Sequence, residues 1–258
     1  MILGIDHIVI AVHDLDRAIA DYSQLGFTVV RGGRHSGLNT HNALIAFSDG
    51  CYLELIASLG PSQGTAHWWF EALQRGGGLT DFCVQSDNLE NDVAAFQQAG
   101  VKISAPFPMS RERPDGYRIS WQLAVNESGT RGLVPFFIRD LTARDERVPA
   151  NRMHPNGAAG VKALSLVVAD LNPVSAVYEK ALERRGEPVT RDDLQSNGVR
   201  FALGPHEIQI ILPCNTSGVA AERIRTRGAS ALELQLYGRA TLGMLDGSLT
   251  HGARILLV

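Results

Sequence analysis

The chain has 258 residues, 45% hydrophobic and 20% charged, the balance of a globular protein long enough for one large domain or two small ones. Its 24 Lys and Arg against 27 Asp and Glu leave a net charge of −3; without a basic excess to displace counterions, no nucleic-acid partner is expected. No run approaches the ~18–20 apolar residues of a membrane span. The N-terminus, interrupted by Asp6 and His7 and lacking a basic region, does not read as a signal peptide. A cytoplasmic location away from membranes is therefore expected. Three widely spaced cysteines, Cys51, Cys83 and Cys214, read as free thiols in a reducing compartment.

In chain order, the pattern repeats. The run from Gly4 to Leu15 is matched without a gap by Gly160 to Leu171, and more weakly by Gly78 to Leu89. Each copy is an apolar, β-branched strand ending near an Asp that can accept from the free N–H groups of a following helix. A helical spacing follows each time: Leu15, Ala18, Ile19, Tyr22 and Leu25 before Gly26; Leu89, Val93, Phe96 and Ala99 before Gly100; Leu171, Val174, Val177, Tyr178 and Leu182 before Gly186. Short strands come next, at 27–31, 42–47 and 51–57, with a tight hairpin at Ser48-Asp49-Gly50. Their counterparts are 102–104, 118–125 and 133–139, then 188–190, 198–203 and 207–212. Each unit is β-α-β-β-β. A fourth is cut down to a strand at 231–237, a short helix at 241–245 and a strand at 253–258. The turn-rich stretch 140–159, with Pro149, Pro155, Asn156 and Gly157, reads as a linker between 1–139 and 160–258. The expected class is α+β, with tandem βαβββ modules forming half-open mixed-sheet cups and the last module truncated.

This arrangement resembles the vicinal oxygen chelate superfamily, which includes glyoxalases, extradiol dioxygenases and antibiotic-resistance binders. More narrowly, Gly32-Gly33-Arg34-His35, Thr40-His41-Asn42, Tyr52-Leu53-Glu54-Leu55-Ile56 and His154-Pro155-Asn156-Gly157 resemble the glyoxalase-like domain family. The resemblance implies that metal ligands, where present, come from the first and last strands of each module. Those positions here are His7, Asp81, Glu54 and Phe137. In the C-terminal half they are Ala163 and about Gln209, from which no metal site can be built.

Strand alternation gives a separate reading. Ile8, Ile10 and Val12 pack on helices, leaving His7 in the cup. Leu53 and Leu55 leave Tyr52 and Glu54; Phe82 and Val84 leave Asp81, Cys83 and Gln85. One imidazole and two carboxylates suit one divalent metal ion, or equally a metal-free polar network. In the Gly-punctuated segment 31–42, Arg34 offers a fork for an anion and His35 a general acid or base. Asn42 faces the ligand and His41 faces away. Trp68 and Trp69 form an aromatic wall or core packing. Trp121 reads as core, with Gln122 turned into the cup. The run 111–116 is a solvated charged turn or a source of an anion-binding arginine at the cup mouth. His154 can bridge the halves and reach the substrate. His206 and His251 read as surface residues. Gly76-Gly77-Gly78 precedes a strand, not a helix, so it fails the dinucleotide-binding context.

The leading expectation is a metal-assisted lyase or isomerase acting on a small oxygenated substrate, with His7, Glu54 and Asp81 on the metal. The alternative is a non-catalytic, metal-independent small-molecule binder with the same cup. A homodimer is compatible with both.

Overall fold

The computed structural model describes residues 1–35, 39–60, 68–113, 115–239 and 242–258. Its N-terminal part comprises β1 (Ile2–Ala11), α1 (Leu15–Gln24), β2 (Val30–His35), β3 (Thr40–Ala46), β4 (Tyr52–Ser58) and α2 (Trp68–Gln74). These are followed by β5 (Gly78–Ser86), α3 (Leu89–Gln98), β6 (Phe107–Glu112), β7 (Arg118–Ala124), β8 (Phe136–Asp140) and α4 (Arg144–Arg147). The C-terminal part comprises β9 (Ala158–Val167), α5 (Asn172–Ala181), β10 (Glu187–Arg191), a 3₁₀ turn (Asp192–Leu194), β11 (Ser196–Leu203) and β12 (His206–Pro213). Then come α6 (Gly218–Arg227), β13 (Ser230–Gly238), β14 (Gly243–Met244) and β15 (Ile255–Leu257).

The expected helices form where their start and stop signals lie. The Asp14 side chain accepts from the Arg17 N–H at 3.0 Å. In the second module the cap is Asn88 rather than Asp87, accepting from the Asn91 N–H. Each helix packs on the outer face of its sheet: Leu15, Ala18 and Tyr22 join Ile8, Ile10, Leu53 and Leu55 in one core that also holds Phe82, Val84, Leu89 and Phe96. Among the described residues no helix is long and apolar enough to cross a membrane. Cys51 and Cys83 are buried free thiols, while Cys214 is exposed.

The first sheet closes into a barrel in the order β1-β4-β3-β2-β6-β7-β8-β5. Modules meet at the antiparallel β1–β5 pair, and closure comes from a short β2–β6 pairing, Arg34 with Glu112 and His35 with Arg111. The barrel interior has its own apolar cluster, including Val9, Ala11, Ile56, Cys83, Ile119, Trp121, Phe136 and Ile138. The second sheet stays open, ordered β10-β11-β12-β9-β13-β15-β14. The truncated fourth module differs from expectation in one element: Gly243 and Met244 pair with β15 as a strand instead of forming a helix, and Thr241 lies outside the described residues.

The two sheets are clasped by buried polar groups. His206, read above as a surface residue, is 2% exposed; its Nδ1 accepts from the Ile5 N–H at 2.8 Å and its Nε2 lies 3.3 Å from Asp49. His251, read the same way, is only partly exposed, and its Nε2 lies 3.2 Å from an Asp21 carboxylate oxygen. The approach is close enough that a Cβ on Gly204, at φ +58°, would stand 1.9 Å from the Leu3 carbonyl oxygen.

Candidate functional site

At one end of the barrel a β-bulge in β1 skips Asp6: Ile5 pairs with Val84 and His7 with Cys83. Bulges re-aim side chains, and here consecutive residues meet, His7 Nδ1 lying 2.7 Å from Asp6 Oδ1. Asp6 is fully buried. Arg147 from α4 reaches it through Nη1 at 3.0 Å and Nη2 at 2.8 Å, and Arg144 adds a second guanidinium. Burial alone would raise the Asp6 pKa, but Arg147, His7 and Arg144 outweigh it and hold the carboxyl well below the usual carboxylate range. An ionised Asp6 accepts a hydrogen bond from the Nδ1–H of His7, which leaves Nε2 as the working nitrogen. The ring is held by stacking on Tyr52, at 4.8 Å between centroids, and by the edge of Phe136.

His7 Nε2 faces Glu54 Oε2 at 3.4 Å, and His35 Nε2 faces Glu54 Oε1 at 3.5 Å. Asn42 Nδ2 donates to Oε1 at 2.6 Å. His35 is oriented in turn by Thr40, whose Oγ1 is 2.9 Å from Nδ1. Burial pushes Glu54 up, yet His7, His35, Asn42 and Arg111 together bring it below its ordinary value. Burial lowers His35, against a smaller upward pull from Glu54. Near neutral pH the arrangement is an ionised carboxylate beside a neutral imidazole. Asn42 Oδ1 is buried without a hydrogen-bond partner.

These groups floor a cavity of about 50 Å³ that Arg111 also lines, with Trp69, Trp121 and Phe136 as walls. That volume exceeds the ~10–15 Å³ needed for one water. Arg111 is 3% exposed and comes from β6, an element absent from the expected strands. Pairing between β2 and β7 turns it inward. It is the arginine that the sequence offered only as one reading of a charged turn.

Several expected site residues lie elsewhere. Arg34 is exposed on an outer groove with Arg31, His41 and Arg113, because its strand neighbour His35 takes the inward direction. Gln122 faces outward and accepts from Arg139 at 2.6 Å, while Trp121 and Leu123 face the cavity. The apolar face of β7 serves the barrel interior, not a helix. Likewise Phe136, not Phe137, reaches the cavity; Phe137 sits in the helix-side core. His154 is buried in another place: Nδ1 accepts from the Thr28 N–H at 3.0 Å, Nε2 lies 3.1 Å from the Ala46 carbonyl oxygen, and the ring packs on Phe27 and Phe47. It ties the inter-half segment to β3. Trp68 opens α2, but its side chain lies outside the described residues.

Asp81 does not join His7 and Glu54. Both Asp81 and Glu54 sit opposite Val9, on the two flanking strands, so about two strand spacings, ~10 Å, separate them. The Asp81 carboxylate turns to the Trp69 indole, whose Nε1 donates at 3.0 Å. Burial, incompletely opposed by Trp69 and backbone N–H groups, pushes the Asp81 pKa up to about 7. Among the described residues no group of three or more His, Cys, Asp or Glu is arranged to hold a metal ion. The Asn42 amide nitrogen lies 2.6 Å from Glu54 Oε1 and 3.4 Å from His35 Nε2.

A closed barrel of paired βαβββ modules, with polar residues on the inner faces of its first and last strands, is the fold that the resemblance to the vicinal oxygen chelate superfamily implied. Within it, the chain belongs to the glyoxalase-like domain family, whose model matches residues 5–183. The structure is similar to that of a hypothetical protein from Staphylococcus aureus, with 16% identity over 100% of this chain and 99% of that one and a TM-score of 0.74. It is also similar to a mutant 4-hydroxymandelate synthase from Streptomyces coelicolor, with 17% identity over 96% and 78% of the two chains and a TM-score of 0.61. A xylose isomerase-like TIM barrel/4-hydroxyphenylpyruvate dioxygenase fusion protein shares 13% identity over 92% of this chain and 36% of its own, with a TM-score of 0.56. At these identities the likeness shows the fold. No curated protein matches the chain.

Proposed function

We propose that this chain is an isomerase or lyase that moves a proton next to a carbonyl in a small, anionic, oxygenated substrate, using its own acid–base groups. The observation that carries the reading is the ionised Glu54 in an aromatic-walled cavity, between His7 and His35 and in the company of buried Arg111. His7, His35, Asn42 and Arg111 keep this carboxylate ionised near neutral pH, so that it is ready to accept a proton. Arg111 pairs with the substrate carboxylate through its planar fork. Glu54 takes the proton from the carbon beside the carbonyl, and the C–H electron pair becomes the C=C bond of an enolate. His7 carries a proton on Nε2 to the enolate oxygen, its imidazolium stabilised by Asp6. Reprotonation at carbon completes an isomerisation, and expulsion of a β-substituent completes an elimination. Asn42, with a free carbonyl oxygen and an N–H on Glu54, holds the carboxylate in its reactive orientation.

These steps use the chain's own residues, and none is routed through a metal ion. The test is C–H exchange in D₂O, followed by NMR over a panel of short-chain 2-keto and 2-hydroxy acids, with elemental analysis of the same samples. Exchange in the parent that falls on the order of 10²-fold or more in Glu54→Gln is expected. Equal exchange in both proteins overturns the reading. So does stoichiometric metal lost on His7→Ala, which would restore metal-assisted chemistry. Tight binding of a panel member without exchange would identify the chain as a small-molecule binder.

A further inference from the structure

We infer that a second site, at the junction of the two halves, binds a phosphoryl-type oxyanion through Arg75, Arg131, Arg223 and Arg227. The four arginines line one cavity of about 150 Å³ on the far side of α2 from the cup, and Glu71 is the carboxylate among its lining residues. They come from separate places: Arg75 just after α2, Arg131 ahead of β8, Arg223 and Arg227 one turn apart on α6. Like charges at that spacing repel each other. Four guanidiniums share this cavity with one lining carboxylate, and Arg131 is already held in place, its Nε donating to the Asn126 carbonyl oxygen at 2.9 Å.

The second observation concerns Arg223. Its Nη1 is buried without a hydrogen-bond partner, and an unmatched buried donor on a cation is costly. Burial, then Arg227 and Arg254, pushes this guanidinium down to about 10. A bound anion reverses both effects at once. Arg227 is already positioned, its Nη1 donating to the Gly77 carbonyl oxygen. This also accounts for Gly76-Gly77-Gly78, at φ +98°, +63° and +87°. A Cβ on Gly76 would stand 2.8 Å from Arg227 Nη2, so the glycines let the turn lie against the guanidinium. A carboxylate offers two oxygens and one charge. A phosphoryl group offers three oxygens and up to two charges, which suits several planar forks better.

The site has a consequence for the cup. Helix α2 presents Glu71 to this cavity, with Arg75 just after it, and Trp69 to the other, where the indole holds Asp81. An oxyanion bridging α2 and α6 fixes the wall that carries Trp69.

The experiment is a thermal-shift and calorimetric titration of the full chain with inorganic phosphate at fixed ionic strength, with chloride as control. A saturable rise in Tm with phosphate alone is expected. Arg223→Gln and Arg75→Gln should each weaken binding by about tenfold or more, while melting no lower than the parent without phosphate because repulsion is relieved. A phosphate monoester that binds tighter than inorganic phosphate makes the ligand an organic phosphate; equal affinity makes it free phosphate, and both uphold the site. No phosphate-specific shift in the parent, or unchanged affinity in both variants, overturns it.

Discussion

The two halves build the same frame and fill it differently. In the first, Val9 of β1 lies opposite Glu54 on one side and Asp81 on the other. In the second, Ser165 of β9 lies opposite Gln209 and Glu233 in the same registers. There Arg191 fills the space: its guanidinium donates to Ser165 Oγ at 3.0 Å, to Gln209 Oε1 at 3.1 Å and to Glu233 Oε1 at 2.6 Å, while Arg254 takes the other Glu233 oxygen at 2.8 Å. The second half satisfies its buried carboxylate internally. The first leaves Glu54 beside a cavity, with imidazole nitrogens near it and an orphaned Asn42 oxygen. One frame is spent on stability and the other is held open for chemistry.

This contrast breaks most visibly at the counter-ions. Arg191→Met should destabilise the chain by about 3–5 kcal/mol, because Glu233 is fully buried and loses a partner. Glu54→Gln should change stability by less than about 1 kcal/mol, since the amide keeps shape and volume and no fixed guanidinium loses its mate. Urea unfolding of the two variants measures the difference, and equal losses would erase the distinction between the halves.

The next effect separates Asp81 from Glu54 within the first half. Asp81 titrates near 7 in the folded chain and near ~3.9 when unfolded, so the unfolded state ionises first. This group costs nothing below the unfolded value, and its destabilisation grows as pH rises to about 7 and then levels off. Asp81→Asn should therefore stabilise the protein by about 2–4 kcal/mol at pH 8 and not at pH 4. Asp6 runs the other way. Its depressed pKa adds stability above the unfolded value that is lost as pH falls through the folded one. Unfolding midpoints of parent and Asp81→Asn across this range should diverge with rising pH; parallel curves would contradict the assignment.

The smallest effect belongs to His154. His154→Ala removes two buried contacts at the seam, which costs about 1–3 kcal/mol. Because the ring lies outside the cup, C–H exchange by the folded variant should match the parent.

Much of this was legible in the residues. Period-two alternation placed Tyr52, Glu54 and His7 on inner faces, and the Asp and Gly signals placed three helices. The second half lacked a metal-ligand set at Ala163 and Gln209, and the registers put Gln209 where Glu54 stands. What was not legible depends on neighbours in space. Strand β6 hides behind Pro108 and a run of charges, so Arg111 read as part of a turn. In β7 the parity was inverted, because an apolar face was assigned to a helix when the barrel interior is itself apolar. Asp6 is next to His7 in sequence, and only the bulge lets it serve that ring. Asp81 has the inward parity but lies a strand too far from Glu54. Helix α6 gave no strong apolar stripe; its buried residue is Ala220. Its arginines acquire meaning only opposite Arg75 and Arg131.

The short helix α4 has a practical consequence for anyone dividing this protein. Arg144 and Arg147 lie beyond the last barrel strand, in the segment that read as a linker, yet they are the counter-ions of the carboxylate behind His7. A fragment ending with β8 would contain His7, His35, Asn42, Glu54 and Arg111 and would still leave Asp6 buried without either guanidinium. The smallest excised piece that could keep its histidine correctly set must run past Arg147, so the boundary that matters for engineering is drawn by charge and not by the end of the sheet.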